Sequence, residues 1–169
     1  MTLRIMKILL VVSIAAWGFV NGVGNIMFYD QWLDVVGHVM AIENIQYDGQ
    51  LSGRAITHPA FHTIGYAFIY LSKFATGILC ALGAYDLWRA RRAAAAQFNK
   101  AKNRFYVGCG VSMFMLIFGF LVLAGSFFST GQAPSELAQG FHSFVSVYMV
   151  CIGFALLYVA IPDMDDITT

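Results

Sequence analysis

Charge is scarce in this chain: 10 Lys and Arg and 9 Asp and Glu make up 11% of 169 residues, against about 25% in an ordinary soluble domain. The net charge of +1 leaves no basic face for nucleic acid, so nucleic-acid partners are set aside. Proline occurs only three times and no acidic or Pro/Gln-rich tract is present, which excludes a compositionally disordered tail. The three cysteines, Cys80, Cys109 and Cys151, each sit in an apolar run without CxxC, CxxCH or paired spacing. They read as small hydrophobes rather than as a disulfide framework or a metal motif. No nucleophile stands with a base, and HExxH, a phosphate-cradling loop and a carboxylate pair for acid-base work are all missing. The catalytic reading has no residues to stand on.

What is present is apolar: 59% hydrophobic residues, 15% aromatics and a mean hydropathy of +0.70. That composition is an integral membrane protein's. A hydrocarbon core needs about 20 residues per crossing, and four segments supply them: roughly 5–27, 59–88, 105–128 and 139–161. The first follows a short basic flank, but Trp17, Asn21 and Asn25 stand where a signal peptide would have a small-residue cleavage site, so a retained helix is expected. Arg4, Lys7, Arg89, Arg91, Arg92, Lys100, Lys102 and Arg104 fall at the N-terminus or in the second connection, 89–104, and only Arg54 and Lys73 lie elsewhere. Both termini are therefore expected on the cytoplasmic side.

Short connections favour antiparallel neighbours, hence an all-α, polytopic, four-helix up-down bundle forming one membrane domain. The first connection, 29–58, would face the periplasm if the membrane is a bacterial inner membrane. In it, "DQWLDVVGHVMAIEN" repeats apolar residues at helical intervals, which predicts a short interfacial helix on which Asp34 and His38 can pair. The alanine-rich second connection lacks Gly and Pro, so the flanking helices are expected to extend into it. Asp163, Asp165 and Asp166 follow Pro162 and read as a solvated acidic end, and Asp86 as a local ion pair. Gly18, Gly22, Gly24, Gly77, Gly83, Gly108, Gly110 and Gly119 predict close helix approach.

Ionisable residues inside spans are functional candidates by default. In "AITHPAFHTIGYAFIYLSKF", Pro59 suits the first helical position and leaves His58 at or before the cap, which weakens the apparent HxxxH as a metal pair. Counting back from Trp88, His62 lies about 39 Å up the helix, at the membrane mouth, and Lys73 about 22 Å, inside the core. Lys73 can extend past Tyr66 and Tyr70 toward water or tie two helices, and the rival reading is a buried proton or anion site. Asn21 and Asn25 form a polar stripe for interhelical hydrogen bonds, with a pocket wall as runner-up. His38, His58, His62 and His142 all fall on one predicted face. His38, His62 and His142, with Arg54 or Lys73 for an anionic group, are the candidate set for haem, copper or a quinone. The default remains amphipathic interface histidines with no cofactor.

The runs "NIMFY", "HVMAIE", "RAITHPAFH" with Tyr66, "LWRAR", "FNKAK" and "IPDMD" together resemble a bacterial domain-of-unknown-function family of predicted small integral membrane proteins, over about Asn25 to Asp163. The resemblance implies a four-span inner-membrane protein, mostly proteobacterial, and no known activity. Asn25, Tyr29, His38, Arg54, Thr57, Pro59, His62, Tyr66, Trp88, Asn99 and Lys102 match its recurring positions; His58 and His142 do not. The chain departs from the family at Lys73, where the pattern carries glutamate, and near Ser126 and Phe127, where it reads Glu-Trp. The functional expectation is a non-catalytic accessory or structural subunit that contacts lipid and packs against other membrane proteins or its own copies. A histidine-based redox or binding protein is the second reading, and a proton-coupled transporter or channel the third.

Overall fold

The computed structural model describes residues 1–43, 52–130 and 135–164, with the backbone alone at 52, 135–139, 141 and 142. Six α-helices follow in order: α1 Thr2–Met27, α2 Tyr29–Ala41, α3 Pro59–Ala90, α4 Ala95–Ala101, α5 Asn103–Phe114 and α6 Ser135–Ala160. A 3-10 turn at Ser52–Arg54 precedes α3, and a π-helical segment, Met115–Phe127, continues α5. Four helical runs are long and apolar enough to cross a membrane: Thr2–Met27, Pro59–Ala90, Ala95–Phe127 and Ser143–Ala160. They correspond to the four expected segments. The third begins earlier than position 105, because the alanine-rich connection continues as helix after a turn at 91–94.

The runs alternate in direction. Arg4 of α1 donates to the carbonyls of Arg91 and Ala93 beyond the end of α3, and Lys7 to the carbonyl of Ile161 beyond the end of α6. At the other end, Tyr66 near the start of α3 meets Asn25 near the end of α1, and Arg54 reaches the carbonyl of Phe127. One end of the bundle thus gathers the basic connection, and the other carries α2.

Lipid is as apolar as leucine, so helices in a membrane associate by close packing and hydrogen bonds rather than by expulsion of water. The sequence supplies both. An ideal Cβ at Gly18 would lie 2.6 Å from the nitrogen of Gly77 and 2.8 Å from its Cα, so α1 and α3 cross backbone against backbone there. α3 and α5 meet the same way: a Cβ at Gly83 would come within 2.8 Å of the Phe105 nitrogen, and one at Gly108 within 2.8 Å of the Cys80 sulfur. Gly24 and Gly110 were expected in the same role, but nothing stands within 4 Å of either position. Helix periodicity turns those two away from the crossings. Beside the α3–α5 contact, the buried hydroxyl of Thr76 pairs with the Ser112 hydroxyl at 2.7 Å and lies within hydrogen-bond distance of the carbonyls of Ser72 and Gly108, at 2.8 and 3.2 Å. Val11, Cys80, Leu87, Phe105, Cys109 and Val159 fill the core around these contacts.

A second correction concerns the C-terminal acidic end. Asp163 is not solvated: its side chain is only 8% exposed, and its Oδ2 accepts from Lys7 at 2.7 Å and Lys102 at 2.8 Å. Lys102 also donates to Asn99 Oδ1 and the Ile161 carbonyl, and the Asn99 amide pairs with the backbone of Asp163 in both directions. Burial opposes ionisation of Asp163, but the bonds from Lys102 and Lys7 prevail and hold its carboxyl below the usual range. Asp165 and Asp166 lie outside the described residues. Asp86 does form its expected ion pair, with Arg104 at 3.2 Å.

Candidate functional site

At the α2 end, the polar side chains converge on the last turn of α1. Four carbonyls at a helix C-terminus lack partners within the helix. The Phe28 amide takes that of Gly24, and the Tyr66 hydroxyl takes that of Asn25 at 2.7 Å. Tyr66 is 1% exposed, and its ring meets Tyr29 at 5.1 Å and Tyr70 at 5.5 Å edge to face. This is the geometry the aromatic quadrupole favours. The Asn25 side chain then accepts from Lys73 Nζ at 2.8 Å.

The reach of Lys73 follows from two contacts. Its backbone carbonyl lies 2.8 Å from an ideal Cβ on Gly18, while its ammonium meets Asn25, seven residues or about 10 Å further along α1. The side chain therefore extends toward the α2 end and ties α3 to α1 at once. The negative end of the α1 dipole favours a cation there. Among the described residues Asn25 Oδ1 is its only hydrogen-bond or ionic partner, and no described carboxylate contacts it.

α2 rests on the first turns of α3 through exchanged small and large residues. Gly37 faces the His62 ring, with Nδ1 3.1 Å from an ideal Cβ, and Gly65 faces Met40 and Val36. Pro59 starts α3 and His58 is its N-cap, accepting from the Ala60 amide at 3.2 Å. His62 Nε2 donates to the Ile56 carbonyl at 2.7 Å. His38 lies between two acids, with Nε2 3.2 Å from Asp34 and Nδ1 2.5 Å from Glu43. A neutral imidazole has one N–H, so serving both carboxylates requires the imidazolium. The Glu43 bond raises the His38 pKa and outweighs burial, which opposes it, and the charges of Asp34 and Glu43 and the Asp34 bond add to the rise. Ile42 takes a left-handed conformation, φ 60°, to bring Glu43 round, and the Glu43 amide closes on the His38 carbonyl.

Between these groups lies an open pocket of about 170 Å³, lined by Asp34, Gly37, His38, Ala41, Glu43, Thr57 and His62. His38 and His62 are thus brought together. His142 lies near the start of α6, by backbone at the same end, and its side chain lies outside the described set. Among the described residues no three or more His, Cys, Asp or Glu are arranged to hold a metal ion. Arg54 stands apart from the pocket, with its guanidinium 5.7 Å over the Phe127 ring. Asn21 donates to the Trp17 carbonyl and accepts from Tyr148 of α6 at 3.5 Å, so it serves the α1–α6 contact. The Thr76–Ser112 pair and the Asp163 cluster were not foreseen. The positions of Lys7 and Lys102 within or beside apolar runs were the available signal for the second.

No curated protein and no solved structure matches the chain. One family model does, across residues 3–162, and by that match the chain belongs to the family of predicted small integral membrane proteins DUF2165.

Proposed function

We propose that this multi-pass membrane protein is a non-catalytic accessory subunit that binds another membrane protein, and that Lys73 is the contact that selects it. The single observation behind this reading is the Lys73 ammonium, which sits in a span with the neutral Asn25 amide as its only partner among the described residues. Intramembrane cations ordinarily pair with an acid or face a water-filled cavity. A partner helix carrying a carboxylate at the depth of Asn25 completes the charge. Tyr66, Thr76 and Ser112 support the same reading, since they are spent on helix-to-helix bonds rather than on a reaction centre. The membrane is a bacterial inner membrane with both termini cytoplasmic: eight of the ten Lys and Arg fall at the basic end of the bundle, as the charge rule for cytoplasmic loops requires.

A photoreactive residue placed at Ile26, next to Asn25, or at Leu71, two residues before Lys73, both exposed, tests the reading in native membranes. The expected result is a protein adduct that Lys73→Gln abolishes. Labelling of lipid alone overturns it.

The pocket beside α2 favours a second reading, a small-ligand site using His38 and His62. Its volume of about 170 Å³ is below the roughly 300–1,000 Å³ of drug-sized ligand sites, which argues against haem or a whole quinone ring system and for a small polar ligand.

A further inference from the structure

We propose that Lys7 and Lys102 form a binding site for a phosphate oxyanion, which an anionic phospholipid headgroup supplies, and that Asp163 fills this site from within the chain. Two ammonium groups converge on one oxygen, Asp163 Oδ2, at 2.7 and 2.8 Å. The lysines are 5% and 1% exposed, so two buried cations face a single anionic charge among the described residues. Burying charge without full compensation is expensive. A phosphate carries more acceptor oxygens than a carboxylate and can engage both ammonium groups and the nearby Arg4 guanidinium, whose Nε now stands 3.8 Å from Asp163 Oδ1. Arg4 already holds the Arg91 and Ala93 carbonyls, so it is positioned for this.

The location fits the chemistry. Arg4 and Lys7 lie in the first two turns of a candidate span, and Lys102 lies near the start of another. Those are the depths of lipid phosphates, where anionic headgroups and basic side chains attract each other. The internal anion is also built to leave. Asp163 follows the last turn of α6 in a non-helical stretch, and its neighbours Ile161 and Met164 are 56% and 80% exposed. Among the described residues, the Asn99 amide and the lysine bonds to the Ile161 carbonyl hold that stretch besides the ion pairs. The stretch is not helical, and Ile161, Pro162 and Met164 are exposed, so its departure unwinds no helix.

Native mass spectrometry of the full chain, titrated separately with dihexanoyl phosphatidylglycerol, dihexanoyl phosphatidylcholine and inorganic phosphate, tests the site. Removing the competing carboxylate with Asp163→Asn is expected to tighten phosphatidylglycerol binding about tenfold, the equivalent of one charge-assisted contact. Lys102→Gln and Lys7→Gln are expected to remove that gain. Phosphatidylglycerol binding without phosphate binding assigns the site to a headgroup, and binding of both assigns it to free phosphate as well. If Asp163→Asn binds phosphatidylglycerol no better than the wild type, or no better than it binds phosphatidylcholine, the proposal is wrong. That comparison needs no lysine variant to fold, and it is independent of Lys73.

Discussion

Replacing Gly18 by alanine probes the contact on which the α2-end site depends. The added Cβ would meet three backbone atoms of α3: the Gly77 nitrogen at 2.6 Å, the Gly77 Cα at 2.8 Å and the Lys73 oxygen at 2.8 Å. No rotamer relieves a clash with backbone. Ordinary contact begins at 3.4 Å, so α1 and α3 must separate by 0.6–0.8 Å at their crossing. A gap of that size forfeits roughly a quarter to a half of each dispersion contact it opens, and overpacking of this kind costs about 1–3 kcal/mol. The same shift strains the Lys73–Asn25 and Tyr66–Asn25 bonds, which span the same two helices. We therefore place the loss at the upper end, about 3 kcal/mol. Gly24→Ala on the same helix is the control: nothing lies within 4 Å, so the methyl group brings only helix propensity, a gain of up to about 1 kcal/mol. Equilibrium unfolding in mixed micelles, followed by far-UV circular dichroism, measures both. Equal stabilities for Gly18→Ala and Gly24→Ala would refute the backbone crossing.

Asp163→Asn should destabilise the bundle by about 2–3 kcal/mol at neutral pH by leaving Lys7 and Lys102 without their anion. Because the folded-state pKa of Asp163 is depressed, that difference is fully present above its ordinary value of 3.8 and closes as pH falls through the lower folded value, which unfolding of both proteins against pH will show. His38 behaves in the opposite sense. Its folded pKa is raised above 6.5, so its support for the α2 cap is complete below that pH and lost as pH rises through the folded value. Imidazole NMR should find the pKa lowered more by Glu43→Gln than by Asp34→Asn. Thr76→Val removes the buried Ser112 bond, and unfolding should report a loss of about 0.6–1.7 kcal/mol, the range for such bonds in membranes. No change would mean that Ser112 finds its own carbonyl partner instead.

Legibility in the sequence followed the physics of each feature. Spans are dictated by bilayer thickness and hydropathy, so all four could be read directly, as could α2 from its apolar spacing and the His58 cap from Pro59. The Asp34–His38 pair was legible because four residues make one helical turn. The Glu43 contact was not, since it depends on a left-handed Ile42 that no β-branched residue announces. Lys73 was readable as a span lysine with three readings, reaching toward water, tying two helices or forming a buried proton or anion site; that Asn25 is its partner depends on the α1–α3 register, which the sequence does not show. Asp163 was misread as solvated because its partners lie 156 and 61 residues away along the chain. Nothing in "MLIFGFLVLAGSF" marks a π-helical run of 13 residues, and its amino acids offer no physical account of it.

The central claim is that Lys73 engages a membrane partner. The most direct measurement is the mass of the wild type and of Lys73→Gln, both extracted from native membranes in lipid-retaining polymer discs and weighed by native mass spectrometry. The account predicts a wild-type assembly well above the 18.6 kDa chain, and release of the free chain by the substitution. A wild type that travels with lipid alone, at the mass of one chain, would contradict it.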